Sequence, residues 1–191
     1  MSYLSFKAKT ESLFVPLAKP LNMNPSIITL LSIFIMLYAA IIIATEASFL
    51  FGALLVLVVG LLDVLDGVVA KTHKLESKFG AFFDRTADRI NDGLMILAVI
   101  AGAYVDLYLG LAVLFLVILA SYMSACIEAM TKTKIGEAMS MRPVRTGIFI
   151  AGCLGMVYYS PLSLQYAFYA LLFIAIYSVI GRLIAALRFL K

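Results

Sequence analysis

Four aspartates, Asp63, Asp66, Asp84 and Asp88, stand within two apolar runs that otherwise look built to cross a bilayer. A charged carboxylate at the bilayer midplane costs about 2.5–3.5 kcal/mol, so four of them close together require a polar compensator. Asp63, Asp66, Gly67 and Ala70 fall at i, i+3, i+4 and i+7, one face of a helix; Gly80, Asp84 and Asp88 fall at i, i+4 and i+8, one face of the next. If the two faces meet, the carboxylates converge, and two glycines and an alanine leave room beside them. Oxygen-only clusters of this kind suit hard divalent cations, Mg2+ or Mn2+. An intramembrane ion-pair network with Arg85, Arg89 and Lys71 would also account for the charges. It would not account for small residues on the same two faces.

The elements that must position these groups are membrane spans. The chain has 191 residues, of which 64 % are hydrophobic, against about 45–50 % in a soluble domain. The pattern predicts an all-α integral membrane protein: an amphipathic helix over 2–20 lying in the membrane interface, then six transmembrane helices at about 26–45, 48–71, 80–104, 107–130, 144–160 and 162–187. A polar turn, Asn22 to Ser26, opens the first span, with Pro25 near its first position and Ser26 able to cap it. Residues 1–20 do not read as a cleavable signal peptide, being charged and broken by Pro16 and Pro20. One domain, 1–191, accounts for the whole sequence.

Charge placement predicts the orientation. All 15 lysines and arginines fall in the N-terminal segment, the region joining spans two and three, the region joining spans four and five, or the C-terminal end. The alternate links near 46, 106 and 161 carry none. The positive-inside rule then puts both termini and the aspartates on the cytoplasmic face of the cell (plasma) membrane. The net charge of +4 suits anionic lipid or an anionic substrate; because the basic residues flank spans, nucleic acid is not the expected partner. Cys126 and Cys153 lie in apolar runs without metal-ligand spacing and read as packing residues. His73, in a lysine-flanked loop, reads as solvated surface.

The stretch from Asp63 to Asp88 resembles the signature of the CDP-alcohol phosphotransferase family, D-x2-D-G-x2-A-R-x8-G-x3-D-x3-D. Seven positions match at the family's spacings: Asp63, Asp66, Gly67, Ala70, Gly80, Asp84 and Asp88. Lys71 stands where the family usually has arginine, which keeps the charge and loses the bidentate fork. The resemblance implies an enzyme that transfers a substituted phosphoryl group from a CDP-linked alcohol and releases CMP, in phospholipid biosynthesis. It makes Asp63, Asp66, Asp84 and Asp88 metal ligands, for two metals per site, and Asp88 also the candidate general base. Pro25 and Thr29 loosely resemble a family motif at the start of the first span. With Asp63, Gly67, Ala70, Lys71, Thr72 and Gly80 they form the expected CDP-binding set. A homodimer is expected on the same ground.

The acceptor alcohol is read from the later spans. Ser121, Tyr122 and Glu128 resemble the fourth-span pattern of phosphatidylinositol-phosphate and archaetidylinositol-phosphate synthases, although Ser124 and Cys126 stand where those enzymes carry basic residues. Arg142, Arg145 and Arg182 match basic positions of the same synthases, and with Lys132 they are the expected acceptor-phosphate group. The leading expectation is therefore transfer from a CDP-lipid to a small polar alcohol, inositol phosphate. The alternatives are glycerol phosphate or serine as acceptor, a CDP-linked head group as donor, and, from another class, an ion or proton transporter.

Overall fold

The structure, a computed structural model, describes residues 13–131 and 142–189. Its described part is helical: a segment α1 over residues 13–18, then α2 (Pro25–Ala44), α3 (Phe49–Thr72), α4 (Lys78–Ala101), α5 (Leu107–Thr131), α6 (Arg142–Tyr158) and α7 (Ser163–Phe189). The expected spans lie within a few residues of α2 to α7. Of the expected interfacial helix, only α1 lies within the described residues, and Lys132 lies outside them.

Short polar side chains start the helices. Asn24 Oδ1 accepts from Ser26 N at 3.0 Å, Ser48 Oγ from Phe51 N at 3.1 Å, Ser77 Oγ from Gly80 N at 2.9 Å and Asp106 Oδ1 from Leu109 N at 3.1 Å. Each satisfies a backbone donor that the first turn leaves unpaired. Pro25 opens α2 as expected, but the cap is Asn24 rather than Ser26. The links are tight enough to force Glu46, Lys74 and Ala103 to positive φ. Tyr104 Oη donates to Ile43 O at 3.0 Å and its ring meets Phe49 edge-on, so the two links at that end of the molecule brace one another.

Helix α2 packs on α3 and α4, α7 packs on α5 and α6, and the two groups join where α3 meets α6 and α4 meets α5. The central core is aliphatic with two phenylalanines, Phe149 and Phe168, fully buried between α6, α7 and their neighbours. Gly152 and Gly155 let α6 lie close to α7: a Cβ at either would stand 2.8 Å from Ala167 Cβ or 2.6 Å from Ser163 Cβ. Cys126 and Cys153 are free thiols, half-buried and buried. Large apolar side chains cover the outer faces, among them Phe34, Phe115 and Phe173, each at least 60 % exposed. That is an outside made for lipid, not water.

Among the described residues four helices, α2, α3, α5 and α7, are long and apolar enough to cross a bilayer. The expectation of six is met only that far by length and composition. Helix α4 is long enough but carries Asp84, Arg85, Asp88, Arg89 and Asp92, and α6 has 17 residues, about 25 Å at 1.5 Å per residue. Both depart from a lipid-facing composition because they turn polar groups toward the same interior site.

Candidate active site

Asp63 and Asp66 project from the second half of α3, and Asp84 and Asp88 from the first half of α4. One carboxylate oxygen each of Asp63, Asp84 and Asp88 lies within 4.8 Å of the others. Two oxygens on opposite sides of a cation bound at about 2.0–2.6 Å are about 4–5 Å apart, so these three fit a hard divalent ion both in spacing and in donor chemistry. Three of the four carboxylates expected to converge are thus grouped, and Asp66 is not among them. Asp66 stands within electrostatic range of Asp63 and Asp84, but its Oδ2 accepts the Thr29 hydroxyl of α2 at 2.6 Å. The structure thus sets Thr29 against a carboxylate.

Among the described residues nothing lies within 4 Å of the position a Cβ on Gly67 would take. A glycine selected for close helix packing would meet a neighbour there. At Gly80 the nearest atom is the capping Ser77 Oγ, at 3.0 Å. Ala70 and Thr72 are half-buried and Lys71 is exposed at the same end of α3.

The arginines enter from the other group of helices. Arg142, the first residue of α6, donates to Asp63 Oδ1 at 2.7 Å and pairs closely with Asp88. Arg145, one turn on, donates to Asp92 Oδ2 at 3.0 Å. Arg182 of α7 is buried; its Nε donates to Ser124 Oγ at 2.6 Å and its Nη1 to Ser178 O at 2.9 Å. Arg89 and Arg145 lie within electrostatic range of it. Arg89, Arg142 and Arg145 thus form a basic wall on the carboxylates, and Arg182 stands behind it.

Beyond the Arg89–Asp92 pair, which follows from their spacing on one helix, several relationships were not legible in the sequence. Asp92, one turn beyond Asp88, is buried and holds three arginines: Arg145 at 3.0 Å, Arg89 at 3.2 Å and Arg142 at 3.8 Å. Its place on the Asp84–Asp88 face was the available signal. Arg85 pairs with Glu128 of α5 at 2.8 Å. His73 is half-buried, with Nε2 3.0 Å from Ala18 O, and so ties α1 to the end of α3 instead of facing solvent.

Two acidic helix faces meeting a basic wall, inside a bundle with a lipid-facing exterior, define a membrane enzyme acting on a phosphate-bearing substrate. The sequence profile of the CDP-alcohol phosphatidyltransferase family matches residues 22–187, and the chain belongs to that family. It is a CDP-alcohol phosphotransferase. It is 31 % identical over 176 residues to the archaetidylinositol phosphate synthase of Methanothermobacter thermautotrophicus, covering 92 % of this chain and 89 % of the relative. It is also 31 % identical over 183 residues to the phosphatidylinositol phosphate synthase of Corynebacterium glutamicum, covering 90 % and 82 %. In fold it matches the Mycobacterium tuberculosis phosphatidylinositol phosphate synthase in apo form, with a TM-score of 0.78, 24 % identity and 90 % and 94 % of the two chains covered. That protein has also been solved with CDP-DAG bound and with manganese and citrate.

Proposed function

We propose that this enzyme moves a phosphatidyl-type or archaetidyl group from a CDP-lipid to inositol phosphate and releases CMP. The observation that carries the proposal is the convergence of Arg89 and Arg145 on Asp92, one turn beyond Asp88 of the aspartate cluster, with Arg182 within electrostatic range of both arginines, which suits an acceptor that itself bears a phosphate. The named relatives, at 31 % identity, act in support.

In this reading Asp63, Asp66, Asp84 and Asp88 hold divalent metal, Mg2+ or Mn2+, two ions per site. Bound there, divalent metal would supply neutralisation of the pyrophosphate charge and stabilisation of the leaving CMP oxygen. The remaining work belongs to the chain's own residues. Asp88 accepts the proton of the acceptor hydroxyl as its oxygen bonds to the lipid-side phosphorus, and the bond from that phosphorus to the CMP oxygen breaks with its electron pair. Gly67, Gly80 and Ala70 admit the cytidine end of the donor. Pro25, Lys71 and Thr72 border the same end, and Thr29 serves it through Asp66. Arg142, Arg145, Arg182 and Lys132 hold the acceptor phosphate.

The accompanying arrangement is a single domain over 1–191 with six spans, α4 and α6 completing the set. Both termini and the site face the cytoplasm of the plasma membrane, and the assembly is a homodimer. The decisive experiment is CMP release from CDP-lipid in detergent with Mg2+, comparing inositol phosphate, glycerol phosphate and serine. Turnover with inositol phosphate alone supports the proposal; turnover only with another acceptor overturns it.

A second reading, with glycerol phosphate or serine as acceptor, has one specific observation in its favour. Ser124, where the synthases carry a basic residue, spends its hydroxyl on Arg182. An arginine already satisfied by Ser124 and Ser178 offers fewer free donors to a phosphate.

A further inference from the structure

Helix α2 looks from its sequence like a plain apolar span, yet its inner face carries a buried polar seam. Thr29 and Ser32 are 5 % and 3 % exposed, and they meet Asp66 of α3 and Asn91 of α4, themselves 5 % and 3 % exposed. Ser32 Oγ donates to Thr29 O at 2.7 Å and accepts from Asn91 Nδ2 at 3.2 Å, while Thr29 Oγ1 reaches Asp66 Oδ2 at 2.6 Å. Four buried polar side chains in a row between apolar helices are expensive unless they do something packing cannot. Thr29 Oγ1 also lies 3.2 Å from Pro25 O. A hydroxyl has one proton to donate, and the charge-assisted, shorter contact takes it.

We infer that Thr29 is a positioning residue: its hydroxyl pins one oxygen of Asp66 and leaves the other to face the metal, and the Ser32–Asn91 tie holds α2 at the depth where Thr29 can do so. This rests on the reading of Asp66 as a metal ligand. Ligating carboxylates whose free oxygen is held by a neighbouring donor keep their orientation, and removal of such a donor typically weakens metal binding by about 10–100-fold. The Asn91 side-chain oxygen, buried and without a hydrogen-bond partner among the described residues, belongs to the same seam; among those residues the amide is held from one end, through Ser32.

The test is Mn2+ binding to the detergent-purified protein by electron paramagnetic resonance, with Thr29→Val, Thr29→Ser, Ser32→Ala and Asp66→Asn. Thr29→Val keeps the shape and removes the donor, and is expected to weaken Mn2+ binding by about tenfold or more. Thr29→Ser restores the donor and is expected to bind as wild type, which a merely structural role for the threonine methyl would not produce. Should Thr29→Val fail to yield folded protein, Ser32→Ala carries the test, with a weakening toward the low end of the same range, about tenfold, expected from the looser tie. Wild-type affinity in Thr29→Val, or in Ser32→Ala where it must stand in, overturns the inference. If Asp66→Asn weakens binding in the same experiment, the metal reading survives that failure. If Asp66→Asn binds Mn2+ as well as wild type, both fall.

Discussion

Arg142 bonds Asp63 across the interface of α6 and α3, with Nη1 2.7 Å from Oδ1, and the same nitrogen pairs with Asp88 of α4. One guanidinium therefore fastens three helices at the carboxylate cluster. With Arg142 about 15 % exposed and Asp88 19 %, the pair is shielded enough to matter and not so deep that water is absent.

Removing that guanidinium should leave Asp63 and Asp88 facing one another without a shared cation. Arg142→Gln is expected to lower the unfolding temperature in metal-free buffer, by the equivalent of about 1–3 kcal/mol. Added Mg2+ should recover more stability in the variant than in the wild type, since the ion takes over the lost charge. Thermal unfolding in detergent, with and without Mg2+, checks both parts. An equal Mg2+ gain in the two proteins would mean that Arg142 and the metal do not share ligands.

Gly67 offers a sharper separation of folding from function. Among the described residues no atom lies close enough for a side chain there to disturb it. Gly67→Ala should fold at least as well as wild type, because alanine favours helix over glycine by about 0.8–1.0 kcal/mol. Gly67→Leu should also fold, but raise the KM for CDP-lipid by about tenfold or more as the bulk displaces the bound donor. If Gly67→Leu unfolds instead, the glycine serves packing.

The sequence made the aspartate faces legible because helical spacing alone determines which residues share a side, and the structure brings Asp63, Asp84 and Asp88 together. The helix boundaries were legible for a similar reason, since length and apolarity decide what can span. What could not be read were partners from distant helices. Nothing in the spacing of Thr29 says that it meets Asp66, 37 residues on, and nothing in that of Arg145 says that it meets Asp92; the Arg89–Asp92 pair, three residues apart on α4, is legible from spacing. The Thr29 and Arg145 pairings depend on how α2 and α6 rotate against α3 and α4, which close packing sets. His73 was misread for the same reason: its partner, Ala18 O, is a backbone atom of another helix.

Arg182 tests the acceptor. Its Nε is committed to Ser124 and one Nη to Ser178 O, so only a planar fork could keep these bonds and still reach a ligand. Arg182→Lys is expected to raise the KM for inositol phosphate by about tenfold or more, the loss of a charge-assisted bond, while the KM for CDP-lipid changes little. Steady-state CMP release with each substrate varied separately makes the comparison. A rise confined to the CDP-lipid KM would move Arg182 to the donor side.

Asp88 carries two assignments, ligand and base, and one variant can separate them. Asp88→Asn keeps size and hydrogen bonding but removes the charge that can take a proton. If the base role dominates, CMP formation should fall by about 10^2–10^4-fold, while Mn2+ binding, with Asp63, Asp66 and Asp84 intact, weakens only modestly. Asp84→Asn should instead lose metal affinity and turnover together, and extra Mn2+ should partly restore its rate. Raising Mn2+ should do nothing for Asp88→Asn once binding is saturated, because no added cation replaces a missing proton acceptor. Recovery of Asp88→Asn at high Mn2+ would make the residue chiefly a ligand, and the proton of the acceptor hydroxyl would then have to leave by another route.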